Sequence, residues 1–181
     1  DLPSGTDRIY AALCEFDSDE TYRRVINLQG DLPDIPPNYL ALLANMLTQR
    51  EFDLCTLVAP CEKHEINASQ VVKAVMSWNE DFHESDFPTG RAHYFSRAPI
   101  PFGSDIFWHH IGLYGWQRNA LKQFVETAPS NLEKTEKLEQ LRALELGMII
   151  GAGKVEAPAV GIDTERDLIE IRKRLNRENN K

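Results

Sequence analysis

Through its first half the chain alternates short, apolar, β-rich runs with segments of helical period, and that alternation restricts it to an α/β architecture. The runs 25–28, 54–59 and 71–76 read as strands. Residues 7–15 place Ile9, Ala12, Leu13 and Phe16 on one helical face, and 36–49 do the same with Leu40, Leu43, Met46 and Leu47. Pro36-Pro37 opens that second helix, where a missing N–H is harmless. Beyond an acidic loop at 78–90, further strands at 93–96 and 111–116 lie closer together, followed by a helix at 118–126. Ser130-Asn131-Leu132-Glu133 is a capping box, predicting a helix to about Leu146 with a Glu133–Lys137 pair at i,i+4. A last helix is predicted over 164–175. The expected fold is a single α/β domain over 1–181, its sheet mixed but mainly parallel and flanked by helices.

Composition excludes several functions. A formal net charge of −8 argues against a broad basic surface for nucleic acid. No apolar run approaches the length of a membrane span. Cys14, Cys55 and Cys61 are too few and too irregular for a disulfide framework or a zinc knuckle, which predicts reduced thiols in a cytoplasmic protein. The chain opens on Asp1-Leu2-Pro3 without an initiator Met, and reads as though it starts inside a longer protein.

Two aspartates stand at sharp reversals. Asp31 ends Val25-Ile26-Asn27-Leu28-Gln29-Gly30-Asp31, and Asp163 lies in Val160-Gly161-Ile162-Asp163-Thr164. Carboxylates at the carboxyl ends of strands are where an open α/β sheet places a ligand or a metal. Equally, Asp31 is an ordinary turn residue and Asp163 an ordinary helix cap. In Tyr94-Phe95-Ser96-Arg97-Ala98-Pro99-Ile100-Pro101-Phe102 one arginine sits within an apolar, proline-stiffened stretch. Its planar fork suits a carboxylate or phosphate, or else a structural salt bridge. His109 and His110 are adjacent and face opposite sides of a strand, so at most one meets a ligand. His64, His83 and His93 belong to no constellation and are expected at the surface. P-loop, dinucleotide fingerprint and nucleophile elbow are all absent from the sequence.

Six segments, taken in order, closely resemble the 3-deoxy-manno-octulosonate cytidylyltransferases, the CMP-Kdo synthetases. They are Ser4-Gly5-Thr6-Asp7-Arg8, Asn27 to Asp31, Tyr94 to Pro101, His110-Ile111-Gly112-Leu113-Tyr114, Leu138-Glu139-Gln140-Leu141-Arg142 and Gly161-Ile162-Asp163-Thr164. The resemblance implies a nucleotide-diphospho-sugar-transferase-like (Rossmann-like) fold and a homodimer. It implies that CTP and Kdo (3-deoxy-D-manno-octulosonate) give CMP-Kdo and pyrophosphate for lipopolysaccharide biosynthesis. By position it makes Asp31 and Asp163 the carboxylates of a Mg²⁺ site. Ser4, Gly5, Thr6 and Arg8 would lie near the cytidine, and Gln29 beside them in the substrate site. Arg97, His110, Tyr114, Glu139 and Gln140 would surround the sugar acid, with Arg97 on its carboxylate.

Two departures from the family pattern stand out. Leu32 replaces a glutamate that many members carry after the metal aspartate. Members also begin with a strand and a basic phosphate-binding loop, and no such segment occurs in this chain. The expectation is therefore an N-terminally incomplete enzyme. The alternatives are a cytidylyltransferase for another acidic sugar and a non-catalytic, dimeric remnant without the phosphate loop.

Overall fold

β2 (Leu54–Pro60) is buried along almost its whole length, because it lies inside the sheet with a core on either face. Leu54 and Val58 join one core, while Cys55, Leu57 and Ala59 point into the other. The computed structural model describes residues 4–28, 30, 32–33, 35–49, 51–80, 86–158, 165, 168–169 and 172. Gln29, Asp31, His83, Asp163 and most of the predicted last helix lie outside the described residues.

The remaining elements are α1 (Gly5–Phe16), β1 (Arg24–Asn27), α2 (Pro37–Met46), β3 (Lys73–Trp78), β4 (Thr89–Ser96) and β5 (Trp108–Gln117), then α3 (Arg118–Glu126), α4 (Asn131–Glu136), α5 (Gln140–Glu145) and β6 (Ile150–Lys154). The six-stranded sheet has the order β1-β5-β2-β6-β4-β3, and β3 also pairs with the beginning of β5. β1, β2, β3 and β6 all run one way, while β4 and β5 run against them. The sheet is mixed, as expected. Parallel pairing is nevertheless scarcer than the alternation predicted: β2–β6 is the one parallel pair among the described residues. The cause is the placement of β5 and β4, which separate strands that share a direction.

On one face, α2 packs Leu42, Leu43 and Met46 over β6 and β2. Gly151 and Gly153 make this possible. A Cβ at Gly151 would stand 2.7 Å from the Phe52 ring, and one at Gly153 would stand 2.8 Å from Leu42. On the other face, Leu121 and Phe124 of α3 and Leu141 of α5 cover Trp116, Phe95 and Ile150. Fully burying one such side chain contributes about 1.5–3 kcal/mol.

The capping box at Ser130 forms as predicted. The single helix to Leu146 does not. Lys137 turns left-handed (φ 56, ψ 50) and divides the segment into α4 and α5. The break lets the Arg142 guanidinium return to the Glu133 carboxylate, at 2.7 Å from Nε. In an unbroken helix, residues nine apart would lie about 13.5 Å apart on opposite faces. Glu133 therefore pairs with Arg142 and not with Lys137.

Candidate active site

β5 carries the centre of the site. While β2 advances two residues from Cys55 to Leu57, β5 advances four, from Gly115 to Ile111, so β5 buckles there. Side chains four apart on a regular strand start about 13 Å from one another. The buckled strand instead brings the His110 and Tyr114 rings to 5.5 Å between centroids. His109 points away and meets Glu65 at 2.9 Å, so the two histidines diverge as expected.

His110 is buried, with Nε2 3.0 Å from Thr56 Oγ1. That hydroxyl lies 3.0 Å from the carbonyls of both Ile111 and Leu113, and its one proton serves them. Its lone pair therefore accepts from His110 Nε2–H, which leaves Nδ1 as the acceptor; the tautomer is assigned from this network. Burial, and then the neighbouring charge of His109, push the imidazole pKa down to about 3. His110 is thus a neutral hydrogen-bonding group at physiological pH. Tyr114 is raised by burial and then by the charge of Glu139, and keeps its proton.

Glu139 immediately precedes α5, and its Oε2 accepts from Thr6 Oγ1 at 2.9 Å. Ser4 caps α1 by accepting the Asp7 N–H, and Arg8 Nη2 lies 3.7 Å from where a Gly5 side chain would begin. The start of α1, expected from the resemblance near the cytidine, is therefore bonded to Glu139, whose charge also reaches Tyr114 beside His110. Gln140 is buried, and its Nε2 has no hydrogen-bond partner among the described residues. A buried amide donor without a partner is one held for a ligand or an ordered water. A cleft of about 450 Å³ runs between the start of α1, the 125–129 segment that ends α3, and Glu133, Glu139 and Arg142; His110, Tyr114 and Gln140 do not line it.

Arg97 follows β4. Its guanidinium donates to three carbonyls, those of Glu136 (2.9 Å), Ser69 (3.0 Å) and Lys137 (3.3 Å). The first and last are carbonyls freed where α4 ends, so the helix break and the arginine explain each other. No carboxylate of the described residues pairs with this guanidinium. Phe95, two residues earlier, packs edge-on against His110 with centroids 4.9 Å apart, which ties Arg97 to the same site.

Sequence reasoning passed over Thr56, Lys73 and Glu136. The signals were a threonine and a lysine inside apolar strand runs, Leu54 to Pro60 and Val71 to Met76. Lys73 is fully buried and donates to the carbonyls of Ala68 (3.0 Å), Val71 (2.6 Å) and Arg97 (2.7 Å). Glu136 accepts from Ser96 Oγ at 2.7 Å and from the Arg97 N–H at 3.2 Å.

Asp31 and Asp163 lie outside the described residues, so only the strands that precede them are described. Asn27 ends β1 directly opposite Tyr114. β1 and β6 run in the same direction and leave the sheet at the same end. Two aspartate carboxylates are by their chemistry a donor set suited to a hard divalent cation. Among the described residues alone, no group of three or more His, Cys, Asp or Glu could hold a metal.

A family model for cytidylyltransferases matches residues 1–150. A 3-deoxy-manno-octulosonate cytidylyltransferase of Parvibaculum lavamentivorans is 43% identical over 178 residues, covering 98% of this chain and 67% of the relative. The chain belongs to the 3-deoxy-manno-octulosonate cytidylyltransferase family. It spans between 64% and 69% of the length of the curated cytidylyltransferases it matches. The solved structure of CMP:2-keto-3-deoxy-manno-octonic acid synthetase complexed with CTP superposes with a TM-score of 0.82 at 31% identity, covering 98% of this chain and 70% of that one. UDP-glucose pyrophosphorylase complexed with UDP-glucose superposes at 0.61 with 12% identity, over 94% and 62% of the two chains, a likeness of fold alone. This cytidylyltransferase domain therefore has the expected nucleotide-diphospho-sugar-transferase fold. Among its described residues no helix is long and apolar enough to cross a membrane.

Proposed function

We propose that this cytidylyltransferase transfers CMP from CTP to the anomeric hydroxyl of Kdo, releasing pyrophosphate, as the activating step for lipopolysaccharide assembly. The observation that carries the reading is the Thr6–Glu139 hydrogen bond, which joins the helix end expected at the cytidine to the helix start expected at the sugar acid. In-line attack of the hydroxyl on the α-phosphorus requires the two substrates to be adjacent.

The residues divide the work by chemistry. Neutral His110 offers Nδ1 as an acceptor for a sugar hydroxyl, and the retained Tyr114 proton offers a donor. Gln140 brings its unpartnered amide. Arg97 has one N–H left on each terminal nitrogen after its three carbonyls, the pair that a carboxylate takes bidentately. Asp31 and Asp163 would hold Mg²⁺, which when bound offsets charge on the phosphate oxygens. Exposed Phe102 and Ile106 suit the homodimer, and a cytoplasmic location suits the nucleotide substrate.

The test is pyrophosphate release from CTP in the presence of Kdo by the full-length protein. Asp31→Ala and Asp163→Ala are expected to abolish it, and undiminished rates in both variants would remove the metal assignment. Replacing Kdo with a sialic acid is expected to stop turnover; equal turnover would move the reading to another acidic sugar.

A further inference from the structure

Lys73 is the one fully buried lysine in the described core, and nothing in the proposed reaction uses it. An ammonium carries three donors, and here each meets a backbone carbonyl, those of Ala68, Val71 and Arg97. The group therefore has nothing left to offer a ligand directly. No carboxylate of the described residues lies within ion-pair distance of it, although Glu136 and Glu65 add attraction from farther away, so its direct contacts are carbonyl oxygens, an arrangement costly to assemble. An apolar side chain would fill the same strand position without that cost.

The partners of the ammonium show what the arrangement achieves. One is the carbonyl of Arg97 itself. The other two, Ala68 and Val71, bracket Ser69, whose carbonyl accepts from Arg97 Nη1 at 3.0 Å. Lys73 thus holds both the backbone that bears the guanidinium and the loop against which the guanidinium rests. Glu136 completes the frame from the opposite side, taking the Arg97 N–H on its carboxylate and Nε–H on its carbonyl. Among the described residues one hydrogen on each terminal nitrogen has no partner, and this frame holds the group that bears them.

We infer that Lys73 is a positioning residue, its buried ammonium aiming the Arg97 guanidinium at the carboxylate of the sugar acid. The inference rests on the assignment of Arg97 to that carboxylate. It extends the site inward by one layer, to a residue that contacts neither substrate. Burial above all lowers the lysine pKa; the positive charge of Arg97 adds to it, and Cys61, Glu136 and Glu65 oppose it.

The experiment is steady-state kinetics of the full-length enzyme with CTP and Kdo, each varied in turn. Arg97→Ala comes first and should raise the KM for the sugar acid; an unchanged KM removes the underlying assignment. Given that rise, Lys73→Met should raise the KM for the sugar acid about tenfold with the KM for CTP unmoved, since the lost hydrogen bonds involve a charged donor. The Lys73→Met, Arg97→Ala double variant should be no worse than Arg97→Ala alone. An unchanged sugar KM in Lys73→Met, a parallel rise in both KM values, or additive losses in the double variant would each overturn the inference while leaving Arg97 in place. Should Lys73→Met fail to fold, Lys73→Arg supplies the same comparison. It keeps the charge on a longer, planar head that cannot reproduce the three-carbonyl geometry. A normal sugar KM in Lys73→Arg overturns the proposal.

Discussion

Thr6 Oγ1 and Glu139 Oε2 meet at 2.9 Å across 133 positions of the chain. Thr6 is buried in the first turn of α1, and Glu139 stands immediately before α5. Neither helix start has another side-chain bond to the other among the described residues. Thr6→Val removes the donor at nearly constant volume. It should lower stability by about 1–2 kcal/mol in urea titration, the range for a hydrogen bond to a partly solvated charge. A loss within error of zero would mean that water replaces the hydroxyl without cost.

The Glu133–Arg142 pair is buried on both sides, and Arg142 also donates to the carbonyls of Phe124 (3.3 Å) and Thr127 (3.1 Å). Its guanidinium stacks on the Phe124 ring at 4.3 Å. Arg142→Met strands a buried carboxylate and should cost about 3–5 kcal/mol. Adding Glu133→Leu should recover part of that loss, which urea midpoints of the two variants would show.

Stability should fall on acidification in two stages. Unfolded, His110 takes a proton near pH 6.5; folded, burial and His109 hold it back to about 3. Between those values the unfolded chain binds the extra proton. Stability therefore rises with pH across that window, by up to about 1.4 kcal/mol per unit.

Asp17 and Glu133 act lower on the scale. Burial raises both, but the amides of Tyr22 and Thr21 with Arg118 outweigh it at Asp17, and Arg142 with the Ser130 amide outweighs it at Glu133. Both folded pKa values lie below the unfolded 3.8 and 4.5. Their contribution is full above those values and is lost as pH falls through the folded ones. His110→Gln should flatten the upper stage and leave the lower one in place, read from denaturation midpoints across about pH 3–8.

Gly151→Val should destabilise by about 1–3 kcal/mol, since the new Cβ starts 2.7 Å from the Phe52 ring in a closed core. Gly112→Ala is the comparison, because nothing stands within 4 Å of its added Cβ. Thermal melting of the two variants would separate steric crowding from the general cost of replacing a strand glycine.

Much of the architecture was legible in the sequence. α3 lies where its periodicity put it, β2 shows the unbroken apolar run of a strand buried on both faces, and Ser130 caps α4 as its spacing predicted. β6 was not legible. Ile150-Gly151-Ala152-Gly153-Lys154 carries two glycines that weaken any strand signal, and they are needed only because Phe52, Leu42 and Met46 press against that strand. The break at Lys137 was equally hidden, because its cause lies in Arg97 and in the Glu133–Arg142 pair, not in the local residues.

The same division runs through the site. Residue types and their order were enough to name the family and to nominate His110, Tyr114, Glu139, Gln140 and Arg97 as candidates, since chemistry-bearing side chains sit in short motifs readable one at a time. The tertiary structure decided what each of them can do. The buckle in β5 brings two strand side chains together, and burial fixes the protonation of His110 and Tyr114. Carbonyls from three separated segments hold Arg97 and the lysine behind it. Those are long-range contacts, and a linear pattern carries no record of which distant residue a side chain will meet.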